Sequence, residues 1–273
     1  MSDGTYELVE NAAGRLVPTH VNGQPVPPFK GVNAYKPQGK KAAPRIPSCI
    51  DYPADGDKLV GGLRTALQRC GLRDGMTIST HHHFRNGDRV ANAVFDIAAE
   101  IGVRDLRWFP SASFPCHAPV IEHMENGVVH HIEGSLNGPL GVYCSHGHMR
   151  GMGVLRSHGG RYRAVQDGDV HIDIAVVAAP TADRYGNANG LYGPSACGPL
   201  GYAQVDVQYA DQVIVVTDNL VEFPCQPWHI DGSYVDYVAT MDSIGDPEKI
   251  VSGTTQITDN PTRLHMAELA ARF

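Results

Sequence analysis

From Leu59 to Gly127 the chain alternates between segments of helical period and short β-forming runs, and that alternation leaves few folds open. After Asp57, a candidate N-cap, Leu59, Leu63, Ala66, Leu67 and Cys70 recur at helical spacing, and Gly71 marks the stop. Residues 76–80 read as a strand. Val90, Val94, Ile97, Ala98 and Ile101 mark a second helix that starts near Asp88 and ends at Gly102. A third pair follows, with a strand at 106–109 and a short helix lined by Val120, Ile121 and Met124 and closed by Gly127. Runs rich in Val and Ile at 128–132, 172–179, 212–217 and 234–240 add further strands. The expected fold class is therefore α/β, an open, mostly parallel sheet with helices on both faces. In such sheets ligands sit beyond the carboxyl ends of the strands, so the loops after strands are where function is sought.

A chain of 273 residues holds one large domain or two small ones. No apolar run approaches the roughly 20 residues needed to cross a bilayer, and the first residues lack the basic and apolar regions of a signal peptide. A cytoplasmic location without membrane association is expected. The 6 cysteines lie far apart with no Cys-x-x-Cys pair, which reads as reduced and mostly structural thiols. A formal charge of −7 argues against nucleic acid as a partner, so an anionic substrate has to be held by a local cluster of cations. Residues 1–50 run against the overall charge, with Lys and Arg outnumbering Asp and Glu, and they are rich in proline. They read as an extended basic arm that wraps the domain or a partner, with a disordered tail as the other reading of the same composition.

Four clusters could carry chemistry. His81, His82, His83, Phe84, Arg85, Asn86, Gly87 and Asp88 follow the strand at 76–80 and precede a helix whose first amides are unpaired donors. Helix dipole, arginine and histidines together favour a carboxylate or phosphate. Gly87 permits a close backbone turn, and Asn86 or free amides could donate to an oxyanion that develops during acyl transfer. The same residues also allow a plain helix cap at Asp88 with surface histidines, or a metal site from His81 and His83 on one face of an extended chain, although no spaced third ligand follows. The second cluster, Ser157-His158-Gly159-Gly160-Arg161, reads as a small flexible turn suited to a thioester carbonyl or a carboxylate, and no Gly-x-Ser-x-Gly elbow points to a serine hydrolase. His146 and His148 add histidine density nearby. The third runs over residues 179–190, where Pro180 stops a strand and Gly186, Asn187, Asn189 and Gly190 suit tight turns, so composition alone makes it a loop. The fourth is Phe114-Pro115-Cys116-His117-Ala118-Pro119, in which His117 either contributes to a site or packs a short helix. Asp218, Asn219 and Leu220 read as a turn without a role.

The run over residues 71–88 resembles, nearly residue for residue, the strand, His-His-His-Phe-Arg-Asn-Gly-Asp, helix signature of the citrate lyase alpha subunits, which belong with the coenzyme A transferases. Residues 157–161 resemble the family's Ser/Thr-His-Gly-Gly-Arg element. Residues 179–190 resemble its Ala-Pro-Thr-Ala-Asp-x-Tyr-Gly-Asn-x-Asn-Gly element and continue into Gly193-Pro194-Ser195-Ala196-Cys197-Gly198. The 114–123 block and the arm segment over residues 28–40 are also similar, whereas residues 142–153 depart from the pattern. The likeness covers the amino-terminal half of family members about twice this length, with a coenzyme A transferase-like domain over 51–273.

That resemblance implies an acyl exchange in which an acetyl thioester plus citrate gives a citryl thioester plus acetate. A lyase (beta) subunit then cleaves the citryl group to oxaloacetate. It implies acetyl-CoA, or the CoA-like prosthetic group of an acyl carrier (gamma) subunit, as co-substrate, with no metal. Catalytic roles fall on His83, Asn86 and Gly87. Substrate binding falls on His81, His82, Arg85, His117, Ser157, His158, Gly159, Gly160, Asn187 and Asn189, with the histidine run and Arg85 supplying the cation and the asparagines bonding a carboxylate or pantetheine amides. Related transferases build the site between two similar halves, so homo-oligomerisation or pairing with a second half is expected. Two other readings stay open: a non-catalytic transferase half that acts as a binding or assembly module, and a sugar-phosphate domain, which would explain the anion loop but not the 187–197 block.

Overall fold

Uninterrupted apolar strands such as Ile-Ala-Val-Val-Ala at 174–178 can be satisfied only in a sheet buried on both faces, and the computed structural model places them there. It describes residues 7–31, 34, 43–44, 58–250 and 258–272. Asp57 and most of the 28–40 arm segment lie outside the described residues. The described part of the arm folds into two hairpins, β1 (Leu8–Glu10) with β2 (Leu16–Pro18) and β3 (His20–Val21) with β4 (Gln24–Pro25), rather than running as a single extended strand. Asn22 fastens it to the domain by donating to the carbonyls of Met149 and Gly151 at 3.0 and 2.9 Å.

The main sheet takes its strands in chain order from β5 (Leu59–Val60), β6 (Thr77–Thr80), β7 (Leu106–Pro110), β8 (Val129–Gly134), β9 (Gly153–Leu155), β10 (Ile174–Ala178), β13 (Gln212–Thr217) and β15 (Tyr237–Thr240). Its spatial order is β5-β15-β13-β10-β6-β7-β8-β9, and all the pairings are parallel. Alternate residues of β10 and β13 separate two cores. Ile174, Val176, Ile214 and Val216 pack on one face with α1 (Leu63–Arg69), α2 (Val90–Glu100), α3 (Val120–Glu125) and α4 (Gly138–Ser145). Ala175, Val177, Val213 and Val215 pack on the other with α5 (His158–Gln166) and α6 (Ala203–Tyr209). A smaller sheet, in the order β12 (Ala188–Asn189), β11 (Thr181–Asp183), β14 (Leu220–Val221), lies beside it. Among the described residues no helix is long and apolar enough to cross a membrane.

Several expectations need correction. Leu59 belongs to no helix: it pairs with Val238 at the edge of the sheet, and α1 begins only after Gly62, whose φ of 131° turns the chain from strand to helix. Residues 157–161 are not a flexible turn. Ser157 caps α5, its hydroxyl accepting the Gly160 amide, so the motif is a helix start. The 179–190 stretch is not a loop, because β11 and β12 pair within it and tie it to β14, the segment read as a roleless turn. α4, β9 and α6 went unrecognised, being short and without a clean period.

Candidate active site

Parallel order sends the carboxyl ends of β6, β7 and β10 to one edge, and the histidine run emerges there. Residues His82–Gly87 form a short 3₁₀ strap that breaks at Arg85, whose φ of 51° and ψ of −126° are unusual for a residue with a side chain. Backbone of this kind raises the energy by about 1–3 kcal/mol and persists where surrounding structure imposes it, frequently at functional sites. Here it holds an exposed guanidinium over a cleft of about 190 Å³ lined by His82, His83, Arg85, Cys197, Pro199, Gly201 and Tyr202. Arg85 has no carboxylate partner among the described residues, so its charge is available to a ligand.

The two imidazoles of the cleft are neutral, which corrects the expectation that His82 and His83 supply positive charge. Burial, helped by the charges of His158, His81, Arg85 and Arg161, lowers His82 to about 4. Burial and His81 lower His83 to about 4, against the carbonyl of Ala178, which receives its Nε2–H at 2.6 Å. The folded rings thus bind protons more weakly than unfolded ones, whose pKa is near 6.5. Their contribution to stability is complete above about pH 6.5 and is lost as the pH falls from there through about 4. Urea midpoints should decline across that window in the parent and decline less in His82→Gln and His83→Gln. Identical slopes in all three would contradict the assignment.

Behind the cleft lies a buried ionic unit. Arg161 reaches from α5 to Asp206 on α6 through two hydrogen bonds of 2.9 and 2.6 Å, and His81 meets the same carboxylate through Nε2 at 2.8 Å. Arg161 also donates to the carbonyls of Phe109 and Pro110 at the end of β7, with its guanidinium 4.2 Å from the centre of the Phe109 ring. Burial alone would raise the Asp206 carboxyl, but Arg161 and His81 hold it well below the usual carboxylate range. The unit thereby joins α5, α6, β7 and the start of the strap. Tyr202, the N-cap of α6, and His158, the first residue of α5, touch His82 with ring centres 5.2 and 5.4 Å away. Burial pushes the Cys197 thiol up to about 12, so it lines the cleft as a thiol and not as a nucleophile.

Of the residues picked from sequence, His82, His83 and Arg85 line the cleft, and His158 adjoins it through Tyr202. Ser157 and Gly160 are engaged with each other at the start of α5, beside exposed Gly159. His81 is the buried partner of Asp206, and with His83 engaged at Ala178 the two rings are not arranged as a metal pair. Asn86 accepts the Cys116 amide through its side-chain oxygen at 2.8 Å. A Cβ on Gly87 would stand 2.7 Å from the Asp246 carbonyl, so this glycine serves the close approach of α7 (Pro247–Ile250). His117 is buried between Asp88 at 2.9 Å and the Phe114 amide at 2.9 Å. Asn187 bonds Asp183 and Gly232, while Asn189 bonds Pro227 and Leu191, which commits both side chains to the fold and not to a substrate. His146 and His148 are exposed and meet each other, and His148 also meets Tyr143. Away from the cleft, at the amino ends of β10 and β13, ligand atoms of His171, Asp173 and Asp211 lie within 4.8 Å of one another. Sequence reasoning missed Ser111, Tyr202 and Asp206. Only Asp206 left a trace, as a lone acid between Val205 and Val207.

The family described as citrate lyase, alpha subunit, matches residues 56–273. A citrate lyase alpha chain of Klebsiella pneumoniae is 44% identical over 216 residues, covering 79% of this chain and 42% of its own length. The chain thus spans less than half the length of that relative. A structure described as the alfa subunit of citrate lyase from Streptococcus mutans, in complex with citrate, superposes with a TM-score of 0.85 at 43% identity, over 96% of this chain and 51% of that one. An acyl-CoA transferase of Escherichia coli O157:H7, in a thioester complex with CoA, shares the fold at 12% identity and a TM-score of 0.52, over 78% of this chain and 54% of that one.

Proposed function

This chain belongs to the citrate lyase alpha subunit family, and from that premise we propose that its cleft holds citrate for acyl exchange with an acetyl thioester of acetyl-CoA or of an acyl carrier subunit. The observation that carries the reading is the Arg85 guanidinium, without a carboxylate partner among the described residues and held over neutral His82 and His83 at the carboxyl edge of a parallel sheet. Citrate near neutral pH is a polyanion, and a cation with donors around it fixes one carboxylate against the thioester carbonyl.

In balanced form, a citrate carboxylate oxygen bonds to the acetyl carbonyl carbon and the C–S bond breaks, giving a mixed anhydride and a thiolate. The thiolate then attacks the citryl carbonyl and acetate leaves. No proton is gained or lost overall, and no protein nucleophile is required. A second transferase half, a lyase subunit and the acyl carrier are the partners this reading calls for, in the cytosol. The arm at 1–50 and the transferase-like body at 51–273 are the units in which we divide the chain.

The test is a thermal-shift titration of the chain with citrate, acetyl-CoA and a sugar phosphate. Citrate is expected to raise the unfolding temperature in proportion to ln(1 + [L]/Kd). Stabilisation by the sugar phosphate alone would overturn the reading.

A further inference from the structure

His82 meets Ser111 twice. Its amide donates to the Ser111 hydroxyl oxygen at 2.9 Å, and its ring Nδ1 lies 2.6 Å from the same oxygen. Ser111 is buried at the end of β7, and no other acceptor engages its hydroxyl among the described residues. A buried hydroxyl proton seeks an acceptor, and Nδ1 is the one within reach. That places the ring's own proton on Nε2, which has no protein partner among the described residues and belongs to a ring lining the cleft. His83 is fixed in the same tautomer by a different partner: Nε2–H is given to the Ala178 carbonyl, so its Nδ1 is an acceptor, unengaged among the described residues. Tyr202 and His158 brace the outer side of His82 and oppose rotation of the ring.

We propose that Ser111 is a positioning residue of the cleft: it locks His82 as the Nε2–H tautomer, so that the site presents one imidazole donor at His82, one imidazole acceptor at His83 and one fixed cation at Arg85. The tautomer stands on geometry alone. Its use, with His82 Nε2–H donating to the oxygen on which charge develops in acyl exchange, rests on the function proposed above. The donor role expected of Asn86 and Gly87 thereby passes to a side chain that lines the cleft.

The experiment is long-range ¹H–¹⁵N spectroscopy of the histidine-labelled chain at pH 7.5, with His82 assigned by loss of its signals in His82→Gln. The parent is expected to show an unprotonated Nδ1 and a protonated Nε2. Ser111→Ala should give a mixture of tautomers, and Ser111→Thr should restore the parent pattern. A parent ring protonated on Nδ1, or an unaltered pattern in Ser111→Ala, overturns the proposal; the parent spectrum decides even if Ser111→Ala does not fold. In acyl exchange assayed with the partner subunits, Ser111→Ala is expected to lower kcat by about fivefold with little change in the KM for citrate, Ser111→Thr recovering most of it. Absence of exchange in the parent would sink the proposed function and leave the tautomer to be judged by the spectra.

Discussion

Asp206→Ala is expected to destabilise the fold by about 3–5 kcal/mol, the range seen when one member of a buried ion pair is deleted. Asp206 is 0% and Arg161 1% exposed, so removing the carboxylate leaves a guanidinium sealed from water with only the Phe109 and Pro110 carbonyls to face. His81 loses its partner in the same step, and its other nitrogen already lacks one. The damage should spread to the cleft, because α5, α6 and the strap are pinned at this carboxylate. The asymmetry is part of the expectation: replacing Arg161, Asp206 and His81 together by apolar residues of similar size should be far less destabilising than the single deletion. Urea denaturation measures both. A loss below about 1 kcal/mol in Asp206→Ala would show that water reaches the unit and that its role as a staple is misjudged.

Arg85→Ala should act in the opposite sense, with large effects on binding and small ones on folding. The side chain is exposed and without a carboxylate partner among the described residues, so the core does not depend on it. A hydrogen bond to a charged group contributes about 1.5–3 kcal/mol, so citrate affinity is expected to fall by at least about tenfold. Because φ at this position is 51°, Arg85→Gly should lose the same affinity while relieving backbone strain, and its unfolding midpoint should equal or exceed the parent's. Calorimetric titration with citrate checks the first statement and urea denaturation the second. Equal affinity in parent and Arg85→Ala would remove the guanidinium from the site.

The sheet was legible because its strands obey local rules. β10 and β13 announce themselves by Val and Ile runs, β6 and β7 are short β-forming segments set between helical patterns, and the glycines at 71, 102 and 127 end helices with φ of 68°, 81° and 77°. The position of Arg85 after β6 followed from the same pattern. What was not legible depends on pairing between distant residues. Leu59 fits a helical period, but its fate is decided by Val238, far along the chain. Asn187 and Asn189 look like turn residues open to a ligand until Asp183 and Pro227 are seen to occupy them. His82 and His83 look cationic until burial and the charges around them withdraw their protons. Ser111 and Asp206 carry no motif, and their importance lies in what the histidine run and α5 bring against them.

The central claim, that the cleft under Arg85 holds citrate, is tested most directly by determining the structure of this chain with citrate bound. A citrate carboxylate within hydrogen-bond distance of the Arg85 guanidinium, and a citrate oxygen near His82 Nε2, are the predicted result. Citrate bound elsewhere with Arg85 still directed to solvent, or no citrate at saturating concentration, would contradict it.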